Sequence, residues 1–186
     1  MTTLDQPTLN QEQPSYRKIA FNYGLIASMV LIVVSLISNI LGFNDPRNPN
    51  TVMSIIMSLL GFVIVVGAMI MGISKHRAED LGGYITFGRA FGLAFILGLV
   101  IVVINTVFSY IYMAFIDSSI LEAATENFET QMEEQGVEPG EDAYEIAAMF
   151  LNPGIITVFI ALWLLFQNTV AGLISAAIGQ KKPSQM

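Results

Sequence analysis

The sequence predicts an all-α integral membrane protein with four transmembrane helices. Four stretches contain no charged residue, namely residues 19–44, 48–74, 90–116 and 146–180. Each is longer than the roughly 20 apolar residues that cross a bilayer. Hydrophobic residues make up 54% of the chain and charged residues 12%, whereas soluble domains carry about 25% charged residues. The 186 residues suffice for one compact bundle without a separate soluble domain.

The chain divides into a polar tail, one membrane domain and a short second tail. Residues 1–15 are rich in Pro, Gln and Asn and predict a disordered cytoplasmic tail. Residues 16–182 form the membrane domain, and residues 183–186 form the C-terminal tail. Pro46 and Pro49 stop any helix in the first loop and predict a tight turn there. The predicted spans are 19–43, 51–74, 90–116 and 153–179.

An acidic segment separates spans three and four. Residues 117–152 contain ten acidic residues and no Lys or Arg. Ser119 with Glu122 three residues later fits a capping box, and Gly136 fits a helix stop. A second short helix is predicted over residues 141–151, so the segment forms an extracytoplasmic acidic helical hairpin. The apolar stripe of its first helix is a candidate partner site, formed by Ile120, Phe128 and Met132.

Lys and Arg predict the orientation. Seven of the eight fall on the side that holds both termini, and only Arg47 falls on the other side. Because cytoplasmic loops carry the excess of positive charge, both termini are expected in the cytoplasm. The prediction is a multi-pass protein of the bacterial cytoplasmic (inner) membrane.

Aromatic and basic residues lead into span three. They suit the headgroup region of the bilayer, and Gly82-Gly83 permits a sharp turn before them. One interpretation is a membrane-surface segment, and the alternative is simply the start of span three. The residues concerned are Tyr84, Phe87, Arg89 and Phe91.

A family resemblance is visible in the same segment. The run Leu-Gly-Gly-Tyr-Ile-Thr-Phe-Gly-Arg-Ala-Phe at residues 81–91 resembles the hallmark segment of a bacterial family catalogued as domain of unknown function 4199. The starts of span one (Tyr-Arg-Lys, residues 16–18) and span four (Asn-Pro-Gly, residues 152–154) are similar to that family as well. The resemblance covers residues 16–182. It implies four membrane helices and a bacterial origin, and it implies no activity and no site residue.

The two halves of the chain show a faint internal repeat. Tyr16 and Gly24 recur as Tyr84 and Gly92 at one constant offset of 68 (84 − 16 and 92 − 24). A duplication would give two parallel helical hairpins, the second carrying the acidic insertion. Similar composition of apolar segments is the alternative explanation.

The predicted spans contain amides and hydroxyls but no charged residue. Asn105 lies about 15 residues into span three, and Gln167 and Asn168 lie about 13 residues before Lys181. At about 1.5 Å per residue these depths agree, so the three amides form a candidate mid-membrane polar contact. The structural interpretation is an interhelical hydrogen bond, and the functional one is a small polar site.

Composition disfavours several classes of site. The chain has no cysteine, which excludes disulfides and thiolate ligands. The single His76 has no second ligand at metal spacing and is expected in a solvated loop. We find no catalytic set, cofactor motif or cluster of basic residues suited to nucleic acid. No cofactor, metal or nucleic acid is therefore expected.

The leading functional hypothesis is a non-enzymatic structural or accessory membrane protein. Besides the lipid bilayer, its expected partner is a second copy of the chain or another membrane protein. The first alternative is a small oligomeric channel or facilitator with its polar waist at Asn105, Gln167 and Asn168. The second alternative is a lipid-modifying enzyme, for which no motif is present.

Cysteine labelling tests the orientation without background, because the native chain has no cysteine. A cysteine introduced at Gln131 should react with a membrane-impermeant reagent in intact cells, since the acidic segment is predicted outside. A cysteine introduced at Ser184 should be protected. The reverse labelling pattern would contradict the cytoplasmic position of the termini.

Overall fold

The computed structural model describes residues 14–43, 50–134, 136 and 149–182. Within these ranges we find five helices and no strand: α1 Arg17–Ile40, α2 Thr51–Glu79, α3 Phe87–Ile111, α4 Ser119–Glu134 and α5 Pro153–Gly179. A π-helical turn, Tyr112–Ile116, extends α3. Helices α1, α2, α3 with its extension, and α5 are long and apolar enough to cross a membrane. The predicted all-α fold with four spans is confirmed.

The four long helices form an up-down bundle. Their order around the bundle is α1, α2, α5, α3, and α2 also touches α3 across the centre. The starts of α1 and α3 and the ends of α2 and α5 lie together, and we call this the terminal end; the opposite end is the loop end. At the terminal end Arg77 donates a hydrogen bond to the Gly179 carbonyl (2.8 Å). Ile85 and Lys181 exchange two backbone hydrogen bonds of 3.0 Å.

The packed core occupies the terminal half of the bundle. On α2, no residue between Thr51 and Ile64 is buried, whereas buried residues recur from Val65 to His76. The buried residues of α3 lie between Ala90 and Val102. The largest fully buried apolar side chains are Met69, Ile73, Leu93, Leu97 and Ile101. The helices therefore pack closely over one half of their length and more loosely over the other.

Glycine permits the closest helix contacts of this core. A Cβ at Gly24 would lie 2.8 Å from the Val100 Cβ and 3.0 Å from the Leu97 carbonyl oxygen. A Cβ at Gly179 would lie 2.6 Å from Ile73 Cγ2. Because lipid tails are as apolar as the side chains, helix association in a bilayer depends on such close van der Waals contact.

Helix α2 is longer than the sequence predicted. Its predicted end at Ser74 was placed where the apolar run stops, but the helix continues to Glu79. No helix breaker occurs until Gly82 and Gly83, which both adopt positive φ (62° and 95°). The charged residues after Ser74 therefore extend the helix beyond its apolar segment.

Asparagine caps start two of the spans. The Asn152 side chain accepts a hydrogen bond from the Gly154 N–H (2.8 Å), and Pro153 is the first residue of α5. The predicted cap and first-turn proline are thus present. Asn50 caps α2 by accepting from the Met53 N–H (3.1 Å).

The acidic segment begins with a helix, as expected, but its cap differs from the predicted one. The Ser118 hydroxyl donates to Glu122 (2.7 Å), and the Ser119 N–H donates to Asp117 (3.0 Å). A capping box joins side chains to backbone N–H groups, whereas the Ser118 contact joins two side chains. The second helix of the hairpin, predicted over residues 141–151, falls mostly outside the described residues, as does the predicted turn of the first loop.

Replacing Gly24 with Ala should destabilise the protein. The added methyl group meets α3, and overpacking typically costs about 1–3 kcal/mol. Gly67→Ala is the matched control, because a Cβ there has nothing within 4 Å and Ala is favoured over Gly within helices by about 1 kcal/mol. Thermal denaturation in detergent should show a lower midpoint for Gly24→Ala alone. Equal midpoints for the two variants would contradict this account of the packing.

Candidate functional site

A cavity of about 190 Å³ lies where the packed core ends, near the middle of the four spans. All four long helices contribute to its wall, which is mainly apolar. Its polar residues are Ser58 on α2, Asn105 on α3, and Gln167 and Asn168 on α5. The structure thus brings together the three amides that the sequence placed at one depth, and it adds Ser58.

The two asparagines bond to their own helices. Asn105 Nδ2 donates to the Ile101 carbonyl (3.0 Å), and Asn168 Nδ2 donates to the Leu164 carbonyl (2.8 Å). Both acceptors lie one turn earlier on the same helix. Although Asn105, Gln167 and Asn168 line one cavity, no hydrogen bond joins them in the described structure, so the expected interhelical bond is absent.

Several polar groups of the cavity lack a partner within the described part of the chain. Gln167 and Ser58 make no hydrogen bond to any described residue. Asn168 is only 5% exposed, and its Oδ1 is buried without a described donor. Unsatisfied polar groups are costly in hydrocarbon, where no water compensates them. Side-chain donors and acceptors at this level of the bundle therefore remain available for further hydrogen bonds.

The cavity opens sideways between α2 and α5. A shallow groove on that side shares Ser58, Phe62 and Gln167 with the cavity and continues along Ile55 and Leu59. Both of these last residues are largely exposed. The described residues of the groove between α1 and α3 are all apolar. The groove between α2 and α5 thus gives access to the polar groups from that face.

A second polar cluster joins the helices at the terminal end. His76 is 0% exposed; its Nδ1 lies 2.7 Å from Asp80 Oδ2 and its Nε2 lies 3.1 Å from Arg89 Nε. Because arginine can only donate, Nε2 accepts, and Nδ1 carries the hydrogen donated to Asp80. Tyr16 packs edge-on against the imidazole with 5.8 Å between ring centroids, and the Arg89 guanidinium lies 5.6 Å from the Tyr16 ring.

This terminal cluster joins the ends of three helices. His76 belongs to α2, and Asp80 directly follows the last residue of that helix. Arg89 belongs to α3, and Tyr16 immediately precedes α1. Arg89 also donates to the Pro14 carbonyl. Both imidazole nitrogens are engaged within the cluster, and the His76 side chain is fully buried. The arrangement suits a structural role in which the cluster holds the helix ends together.

The comparison with protein families agrees with this architecture. A family model described as "Protein of unknown function (DUF4199)" matches residues 22–181. The chain belongs to the DUF4199 family. No curated protein and no solved structure matches it. The DUF4199 match spans the whole cavity and all of the terminal cluster except Tyr16 and Pro14, which precede it.

The segment that carries the DUF4199 resemblance is the start of α3. Residues 81–86 are not helical, and Phe87–Phe91 form the first residues of the span. Whether residues 81–86 lie on the membrane surface stays a prediction. Tyr84 is exposed, Arg89 belongs to the terminal cluster, and the Phe91 ring packs near Gly172 of α5.

The apolar stripe of α4 is only partly covered. Ile120 is exposed, and Phe128 and Met132 are half-buried. Among the side chains of this helix that the structure describes, the buried one is Ala123, which lies outside the predicted stripe. In the described structure α4 packs against the π-helical turn.

The expectation for His76 was wrong. It lies on the last turns of α2 and is fully buried, whereas a solvated loop was predicted. Extending α2 to the Gly82-Gly83 break would have placed His76 and Asp80 one turn apart, which is the spacing of an i,i+4 pair. The contact between His76 and Arg89 depends on how α2 packs against α3, and no sequence pattern predicts it.

Arg89→Leu should destabilise this DUF4199 protein. The substitution leaves the buried His76 Nε2 without its donor, which costs about 1–3 kcal/mol. Lys18→Leu removes the same charge from an exposed position at the same end and serves as the control. Thermal denaturation in detergent should show a clearly lower midpoint for the Arg89 variant. If the two variants have the same thermal midpoint, the terminal cluster does not stabilise the bundle.

Proposed function

We propose that this DUF4199 protein is a non-enzymatic accessory membrane protein that binds another component of the bilayer. The observation that carries the proposal is the laterally open cavity, whose Gln167 and Ser58 have no hydrogen-bonding partner in the described chain. Polar groups held within a bilayer mark functional sites more often than surface ones do, because each unsatisfied group there is costly.

The uneven packing of the bundle supports a binding role. The terminal half is fixed by a close-packed core and by the terminal cluster, while the loop half of α2 stays unburied from Thr51 to Ile64. A rigid half positions the walls of the cavity, and a loosely packed half allows access to it. This division suits a protein that receives a partner from the side.

The filled core favours binding over passage through a single chain. Beyond the cavity, toward the terminal end, Met69, Leu93 and Leu97 are fully buried and fill the space between the helices. A solute path along the bundle axis would have to cross this packed region. The engaged nitrogens of His76 likewise favour a binding role over catalysis at the membrane surface.

Photo-cross-linking in native membranes tests the proposal. A photoreactive amino acid at Ile55 samples the polar groove, and one at Val103 samples the apolar groove between α1 and α3. The two positions are 62% and 61% exposed, so bulk lipid reaches them equally. Mass spectrometry should find one dominant adduct at Ile55 and a mixture of bulk lipids at Val103.

A variant of the cavity completes this experiment. Replacing Asn105, Gln167 and Asn168 together with Leu should abolish the dominant adduct at Ile55, because the polar groups that retain the bound component are gone. The variant should still fold, since the two asparagine bonds run within single helices. Indistinguishable adduct patterns from Ile55 and Val103 in the native chain would refute the proposed function.

A further inference from the structure

We infer that the cavity binds the polar end of a neutral, hydroxyl-bearing amphiphile that enters from the bilayer between α2 and α5. This inference rests on the proposed function and deepens it by naming the chemical class of the bound component. Four properties of the site lead to it: the absence of charge in its lining, its hydrogen-bonding capacity, its size and the direction of its opening.

The lining selects a neutral ligand. Among the residues that the structure describes, none around the cavity is Asp, Glu, Lys, Arg or His. A charged group near the centre of a bilayer is costly without a counter-charge. A phospholipid headgroup or an inorganic ion would find no compensation here.

The available hydrogen-bonding groups select a hydroxyl. The Gln167 amide offers two donors and an acceptor, the Ser58 hydroxyl offers both roles, and Asn105 Oδ1 offers an acceptor. A ligand hydroxyl donates and accepts through one oxygen, so it can satisfy an amide acceptor and an amide donor together. An ether or ketone oxygen only accepts and would leave the amide oxygens unsatisfied.

The size of the cavity and the direction of its opening favour an amphiphile as the ligand. The cavity measures about 190 Å³, and an engineered protein cavity of about 150 Å³ is known to hold benzene. The polar end is therefore about as large as one ring or a short branched chain. The apolar tail would lie along Ile55 and Leu59, which are exposed where the groove meets lipid.

Asn168 is assigned a positioning role. A Cβ at Gly98 of α3 would lie 3.1 Å from the Asn168 Cβ, so this side chain is packed directly against the α3 backbone. Its Oδ1 is enclosed, and its Nδ2 is held by Leu164. It forms the fixed wall beside Gln167, whose longer side chain supplies the contact with the ligand.

The single tryptophan reports on binding to the full-length protein. Trp163 lies one helical turn from Gln167 on α5 and is 59% exposed. The probe is a long-chain alcohol with bromine atoms near its hydroxyl group, because bromine quenches tryptophan fluorescence at short range. The methyl ether of the same molecule is the matched control, since it partitions into detergent similarly but cannot donate. The alcohol should quench Trp163 saturably, and the ether should bind about tenfold more weakly, as expected for one lost hydrogen bond.

Two variants assign the effect to the cavity. Gln167→Leu should weaken the alcohol about tenfold and remove its advantage over the ether. Thr169→Val should leave both affinities unchanged, because the Thr169 hydroxyl bonds to Leu165 within α5 and does not line the cavity. Unchanged thermal midpoints for both variants verify that they fold.

Each remaining outcome decides one of the two proposals. Equal binding of alcohol and ether, or no saturable binding to folded protein, overturns the ligand class. If Ile55 nevertheless gives a dominant adduct with a protein, the proposed accessory function stands and the bound component is a partner helix. If Ile55 gives no dominant adduct either, both proposals fail together.

Discussion

The bundle depends on the close approach of its helices in the terminal half. Within a bilayer, contact between apolar helices gains nothing from the removal of water, so van der Waals contact and hydrogen bonds have to hold the fold. The glycines with close neighbours on other helices lie in this half, as at Gly24 against α3, Gly98 against α5 and Gly179 against α2. In the loop half, Gly61 only reaches ordinary contact with Leu31 (3.7 Å). The packed core ends where these glycine contacts end.

The terminal cluster extends the same constraint to the membrane boundary. A buried imidazole needs a partner at each nitrogen, and the hydrogen bonds from Arg89 and to Asp80 supply both. Because these groups come from α2 and α3, and Tyr16 adds the start of α1, satisfying one histidine fixes the relative positions of three helices. The cavity lies beyond this fixed region. On its loop side, α2 is joined to α1 by the hydrogen bond that the Ser38 hydroxyl donates to Met57 Sδ (3.2 Å).

The sequence predicts many of the features that depend on the local chain, and the four spans and the start of α5 agree with the structure. The four spans follow from uninterrupted apolar runs, and the start of α5 follows from Asn152-Pro153. The end of α2 does not follow from its apolar run, because charged residues continue a helix until a glycine stops it at Gly82. Helices α1, α2, α3 and α5 all pass through the region where the three amides lie, so depth alone could bring these amides to one level of the bundle.

Hydrogen-bond partners do not follow from depth in this way, because they depend on the rotation of each helix about its axis and on competing acceptors. A side chain turns about 100° around a helix with each residue, so Asn105 and Gln167 can share a depth without facing each other. An asparagine can also satisfy one amide hydrogen on its own helix, as both asparagines do here. The local sequence does not predict the burial of His76 either, because this burial depends on Tyr16 and Arg89, which come from other segments of the chain.

The contrast between the asparagines and Gln167 gives the cavity its chemical character. An asparagine that bonds to its own helix remains compatible with a purely structural role, since the same bond forms whether or not a ligand is present. The glutamine amide lies one methylene farther from the backbone and makes no hydrogen bond to a described residue. Its full hydrogen-bonding capacity therefore faces a mainly apolar space that opens to lipid. Under the proposed function, Gln167 is the polar side chain that the bound component would satisfy.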